Sequence, residues 1–301
     1  MFDPNVPVPE DAPVPEDAPV PDGSTVLPDL NQRSRRAVVT YLVAVVVLGT
    51  PLVWWFGRLN PEVGRSLLVL FMWVPALGAV VARVITGVRI TFGTPSVRTL
   101  TAALIPALLV AVAYFLALVP AWLTFRPPPD PAGLVVTIGV SVVVSAVLAF
   151  GEEVGWRGYL LPQLRVRHGF LTANAIVLVV WILYHVPIIL LPGYYSNPDI
   201  PIWASLLLFS CTISGYSFYI GAVWELHHDV WAPTFAHGVW NYAVQALWPL
   251  VFLASSPWLM GEFGVVPAVT MAALGIAATV LTVHRLRAAG AGSPQVSTHS
   301  P

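Results

Sequence analysis

Six polar side chains lie within stretches that are otherwise fit for lipid: Glu152, Glu153, Arg157, His185, His237 and Asn241. The two glutamates and the arginine follow residues 134–150, a valine-rich run without a single charge. An ionisable residue near the centre of a membrane helix costs about 3 kcal/mol, so such groups are paired, hydrated or used in chemistry. A carboxylate kept from bulk water is a competent general base for a water molecule. A histidine beside it can help to hold that water or return a proton. A second histidine with an asparagine one helical turn on, as His237 and Asn241 are, offers N–H donors to the oxyanion formed when water attacks an amide carbonyl. Each such donor is worth about 3 to 4 kcal/mol where it has been removed from an enzyme. The set suits peptide hydrolysis.

Helices long enough to cross a bilayer must position these groups. At 57% hydrophobic and 10% charged residues, with a mean hydropathy of +0.77, the chain has the composition of a polytopic membrane protein and not of a soluble domain. A net charge of -1 and the absence of any basic cluster give no reason to expect nucleic acid as a partner. Eight apolar segments approach the length of about 20 residues that spans a hydrocarbon core: 37–56, 66–87, 100–125, 134–161, 171–191, 202–224, 231–253 and 263–284. The expected fold is all-α, a bundle of eight transmembrane helices over 37–287. Residues 1–36 form an acidic, proline-rich tail without the apolar surface to fold, and 288–301 form a second tail. Turn residues mark the connectors, at Asn60-Pro61, Gly93 to Pro95, Pro127 to Pro131, Pro192-Gly193 with Asn197-Pro198, and Ser256-Pro257. Pro106, Pro120, Pro233 and Pro249 are expected to kink their helices.

Arginine placement gives an orientation. All 14 basic residues are arginine, and the absence of lysine points to a GC-rich bacterial source. With the N-terminus in the cytoplasm, Arg33, Arg35, Arg36, Arg83, Arg89, Arg98, Arg157, Arg165, Arg167, Arg285 and Arg287 fall inside, against Arg58, Arg65 and Arg126 outside. Both termini are then cytoplasmic, in a bacterial cell membrane. At about 1.5 Å per residue, Glu152 lies about 20 Å from Arg165 and His185 about 22 Å from Phe170, a matched depth. His237 and Asn241 share one helix face.

Each group also has a plainer reading. Glu153 and Arg157, four apart, make an i, i+4 ion pair near a cytoplasmic helix end, whereas Glu152 has no such local partner. His185 alone reads as a packing histidine, and it is the matched depth with Glu152 that favours the catalytic role; His237 with Asn241 also reads as a bond between helices. Gly151, Gly155 and Gly158 permit close helix approach, and Ser210, Ser214 and Ser217 read the same way. His227, His228 and Asp229 are consecutive connector residues, expected in a solvated loop. Cys211 stands alone and can form no internal disulfide.

Three motifs resemble those of the CAAX-protease and bacteriocin-processing (CPBP or Abi) family of intramembrane glutamate proteases: Glu152-Glu153-Val-Gly-Trp-Arg157 for EExxxR, Trp181-Ile-Leu-Tyr-His185 for FxxxH, and His237-Gly-Val-Trp-Asn241 for HxxxN. Their order and spacing fit, over about residues 100–285. The resemblance implies an endopeptidase acting on a membrane-associated peptide or protein. Glu152 is then the water-activating base, His185 its partner on that water, His237 with Asn241 the oxyanion site, and Glu153 with Arg157 supporting residues. Trp181 departs from the family's phenylalanine, at a position read as aromatic packing. No cofactor and no metal are expected. Glu152, His185 and His237 have ligand types suited to zinc, but the one i, i+4 pair joins a histidine to an asparagine, a poor zinc ligand. A non-catalytic scaffold or immunity protein of the same fold, and a proton-coupled transporter, are the other readings of these residues.

Overall fold

The computed structural model describes residues 23–96, 98–127, 130–191 and 199–291. Helices dominate it because backbone polar groups in hydrocarbon must be satisfied within their own segment. In chain order they are α1 (Gly23–Phe56), α2 (Pro61–Phe71), α3 (Val74–Thr86), α4 (Arg98–Ala117), α5 (Pro131–Gly155), α6 (Leu161–Arg165), α7 (Phe170–Ile189), α8 (Ile202–His227), α9 (Trp231–Tyr242), α10 (Trp248–Val251) and α11 (Val265–Ala291). Joined across short breaks, as α2 with α3, α5 with α6, and α9 with α10, they make the eight apolar segments expected of a polytopic membrane protein. Among the described residues, six are long and apolar enough to cross a bilayer by length and composition. On α5, Val136, Val140, Val143 and Val147 are exposed, an apolar face suited to lipid.

Several boundaries differ from the sequence expectation. Helix α1 begins at Gly23 and so includes residues 23–36, which composition assigned to the tail; residues 1–22 lie outside the described residues. At the other terminus α11 runs on to Ala291. The third segment ends at Ala117 and not at Phe125, because Pro120 lacks an N–H and Ala121 takes a positive φ of 59°. The chain there turns into a strand, β1 (Leu123–Phe125), which pairs antiparallel with β2 (Phe252–Ala254), Leu123 opposite Ala254. Pro120 therefore lies in a turn, and Pro233 lies in the first turn of α9, where a missing N–H costs nothing. Pro128 and Asn197, in two of the connectors marked by turn residues, lie outside the described residues.

Three prolines shape the bundle through the carbonyl four residues upstream, which each leaves without an α-helical donor. Pro75 frees the carbonyl of Phe71 at the break between α2 and α3, and the hydroxyl of Tyr184 on α7 donates to it. Pro162 frees that of Gly158, which accepts from Thr91 N at 2.8 Å, and the chain widens into a π turn at Trp156–Leu160. Pro249 follows a second π turn, Ala243–Leu247.

Small residues let the helices close on one another. A Cβ on Gly155 would stand 2.4 Å from Pro75 Cβ, and one on Gly238 would stand 2.6 Å from Ala146 Cα, so α5 lies hard against α3 on one side and α9 on the other. The arginine-rich ends gather together: Ser34 Oγ donates to Gln163 O at 2.6 Å, Arg35 and Arg167 line one cleft, and Arg287 shares another with Phe170. The connector holding His228 and Asp229 is not the solvated loop expected. His228 closes α8 in the left-handed region at φ 52°, and buried Asp229 accepts from Ala232 N at 2.8 Å.

Candidate active site

The end of α5 carries two adjacent carboxylates that a helix necessarily points in different directions. Glu152 is 2% exposed, and its Oε2 accepts two indole N–H groups, from Trp181 at 2.8 Å and from Trp156 at 3.2 Å. The sequence showed no local partner for this carboxylate, yet Trp156 is its i, i+4 neighbour. Hydrogen bonds to a charged group contribute about 1.5–3 kcal/mol each, which offsets part of its desolvation. Neither indole can take up a proton, so the pair orients the carboxylate and leaves it as the member of the group able to accept one.

Glu153 occupies a sealed site. Its Oε1 accepts from Arg157 Nη1 at 3.1 Å and lies 2.8 Å from His237 Nδ1, with the Glu153 and Arg157 side chains wholly buried. The ion pair expected near a helix end thus lies in the core. Arg157 continues to α8, donating through Nη2 to the Ser217 hydroxyl at 3.1 Å and to its carbonyl at 3.4 Å, and its guanidinium sits 4.6 Å from the Trp181 ring centroid. Ser217 is therefore a partner of the ion pair and not only a small residue at a helix contact. Ser214, by contrast, bonds back to Ser210 O within its own helix.

His185 Nδ1 lies 2.9 Å from the carbonyl of Trp181, one turn earlier on α7. A carbonyl accepts only, so Nδ1 carries the hydrogen and Nε2 is the basic nitrogen of the neutral ring. Tyr184, the preceding residue, stacks on Phe71 with ring centroids 4.1 Å apart, which pins this part of α7 to α2. The rings of Trp181 and His237 meet edge to face at 5.3 Å.

Glu152, His185, His237 and Asn241 line one cavity of about 130 Å³ between α5, α7, α8 and α9. Trp181, Tyr216 and Trp240 supply aromatic wall. Behind it Glu153, itself paired with Arg157, holds His237 through Nδ1. The sequence reading thus brought its four central residues to one place, but it missed the indole donors, the link to Ser217, and two further polar residues on the cavity wall, Gln245 and Glu262. The i, i+4 spacing of Glu152 and Trp156 was a visible signal for the first. Glu262, a carboxylate directly before an apolar helix, was one for the last. Among the described residues no three His, Cys, Asp or Glu side chains are grouped to hold a metal ion.

Residues 132–243 match the family model described as type II CAAX prenyl endopeptidase Rce1-like, of the CPBP family. The match contains all six residues from Glu152 to Asn241. No curated protein matches the chain.

Proposed function

We propose that this chain, an integral membrane protein with an Rce1-like domain, is an intramembrane endopeptidase that hydrolyses a peptide bond in a membrane-associated peptide or protein. The observation that carries this reading is Glu152, a buried carboxylate oriented by two indoles and open to a cavity that also receives two histidines and an asparagine. Glu152 takes a proton from water as the water oxygen attacks the substrate carbonyl carbon. His185 holds the same water through its basic Nε2. The amide of Asn241 donates to the oxyanion, and Nε2 of His237 does so when both its ring nitrogens carry hydrogen, with Glu153 as counter-charge. Collapse of the tetrahedral intermediate breaks the C–N bond, and the proton held by Glu152 passes to the leaving nitrogen. The chemistry uses side chains alone. Glu153 and Arg157 act through His237 and are positioning residues.

Orientation belongs to the same proposal: both termini lie in the cytoplasm of a bacterial cell, supported by the arginines gathered at one end of the bundle.

The experiment is to compare membrane proteomes of cells that express the wild-type protein or Glu152→Gln at equal levels. Glutamine keeps the shape and can still accept from the indoles, but it is no base. Protein termini that depend on the wild type are expected to disappear with Glu152→Gln, a loss of about 100- to 10,000-fold in turnover. Full activity of a stably expressed Glu152→Gln protein would sink the protease reading.

A further inference from the structure

Two polar residues of the cavity wall have no part in the hydrolysis described above. Glu262 precedes α11 and is 7% exposed. Its Oε1 accepts from Gln245 Nε2 at 2.8 Å, while its Oε2 has no hydrogen-bond partner among the described residues. Both residues lie beyond the stretch that matches the family model.

The local sequence explains how Gln245 reaches this wall. His237, Asn241 and Gln245 are spaced by fours, and in an unbroken α-helix such a row drifts steadily around the axis. The π turn at Ala243–Leu247 holds more residues per turn and reverses part of that drift, so all three line the same cavity. Pro249, which cannot donate to the carbonyl of Gln245, favours this widening. Gln245 is itself exposed, so the pair reaches from the buried wall to the surface.

Apart from two histidines, of which His237 is already held by Glu153, the ionisable lining of the cavity is acidic. Its lining includes two carboxylates, Glu152 and Glu262, and no arginine. The buried arginine nearby, Arg157, is committed to Glu153 and Ser217. Burial first, and then the charge of Glu152, push the Glu262 carboxyl up to about 8. A buried acid in that condition lacks a counter-charge.

We propose that Glu262, held by Gln245, forms a subsite that receives a cationic side chain, lysine or arginine, of the substrate beside the scissile bond. An arriving ammonium or guanidinium supplies the missing counter-charge, the Glu262 carboxyl gives up its proton to water, and the open Oε2 accepts the cation's hydrogen bond. The same wall offers an acidic side chain at that position no counter-charge. This assignment rests on the endopeptidase reading and adds to it the class of residue selected.

The test uses the full chain, purified in detergent, and a mixed synthetic peptide library whose cleaved bonds are identified by mass spectrometry. Lysine and arginine are expected to be enriched, and aspartate and glutamate depleted, at one position next to the cleaved bond. From the sequences cut, a matched pair of peptides is made that differs only in lysine or methionine at that position. Glu262→Gln is expected to lower the lysine-to-methionine ratio of kcat/KM about 50-fold, in line with the loss of one partner from a desolvated charge pair. Wild-type protein that cuts the lysine and methionine peptides equally well would overturn the subsite without recourse to any variant. So would a ratio that Glu262→Gln leaves unchanged. Glu152→Gln serves as the control that separates the two ideas: cleavage that survives Glu152→Gln removes the endopeptidase reading itself, whereas cleavage that needs Glu152 but shows no basic preference removes only the subsite.

Discussion

The two sides of the α5 end differ more than the identity of their residues suggests. On one side Glu152 meets two uncharged N–H donors and an open cavity; on the other Glu153 meets Arg157 and His237 in a site closed to solvent. The first environment orients a carboxylate and leaves it free to act. The second neutralises one and uses it as a fixture, with Ser217 and the Trp181 ring completing the surroundings of the arginine. Adjacent glutamates can therefore have opposite duties, because about 100° of helical rotation separates their side chains. Trp181 belongs to both regions, with its N–H on Glu152 and its ring face beneath Arg157.

That division can be broken from either side. The largest effect on stability is expected from Arg157→Met, which leaves Glu153 buried with only His237 for company. Removing one partner of a buried pair costs about 3–5 kcal/mol. Thermal unfolding in detergent is expected to show a markedly lower Tm for this variant, while Glu152→Gln stays close to the wild type. Equal Tm values for Arg157→Met and wild type would mean that the closed site is not structural.

Trp181→Phe sharpens the comparison, since it keeps an aromatic ring but deletes the N–H at 2.8 Å from Glu152, together with the five-membered half of the indole. With Trp156 still in place, kcat is expected to fall about tenfold with KM unchanged, the effect of one hydrogen bond to a charged group. It also restores the phenylalanine of the motif that this chain resembles. A kcat equal to wild type would return Trp181 to the packing role read from the sequence.

The smallest change is expected from Ser217→Ala. It removes a single donor–acceptor contact from an arginine that keeps Glu153 and the Ser217 carbonyl, at about 1 kcal/mol. A modest fall in Tm with normal kcat is the expected result. A large fall in kcat with intact Tm would show that the serine helps to set the cavity side as well, and the separation of the two regions would fail.

Much of the architecture was legible in the chain itself. Long apolar runs leave the backbone no option but helix in a bilayer, so the eight segments and the all-α class follow from hydropathy. Spacing alone put His237 and Asn241 on one face and paired Glu153 with Arg157, because i, i+4 geometry is local. The matched depths of Glu152 and His185 followed from a constant rise per residue, and both line the cavity.

What tertiary structure decided is what depends on where a second helix stands. Which of two neighbouring glutamates faces the cavity, that an indole from α7 bonds Glu152, and that a serine from α8 bonds Arg157 depend on partners 29 and 60 positions away in the chain. The prolines were visible, but their effect was not a simple kink: each frees a carbonyl whose new partner, Tyr184 for Phe71 and Thr91 for Gly158, comes from elsewhere in the fold. Glu262 joined the cavity wall through a π turn and a connector that hydropathy reads only as the space between two helices. A periodic pattern reports the face of one helix, whereas a site is made where the faces of several meet, and close approach at Gly155 and Gly238 fixes that meeting.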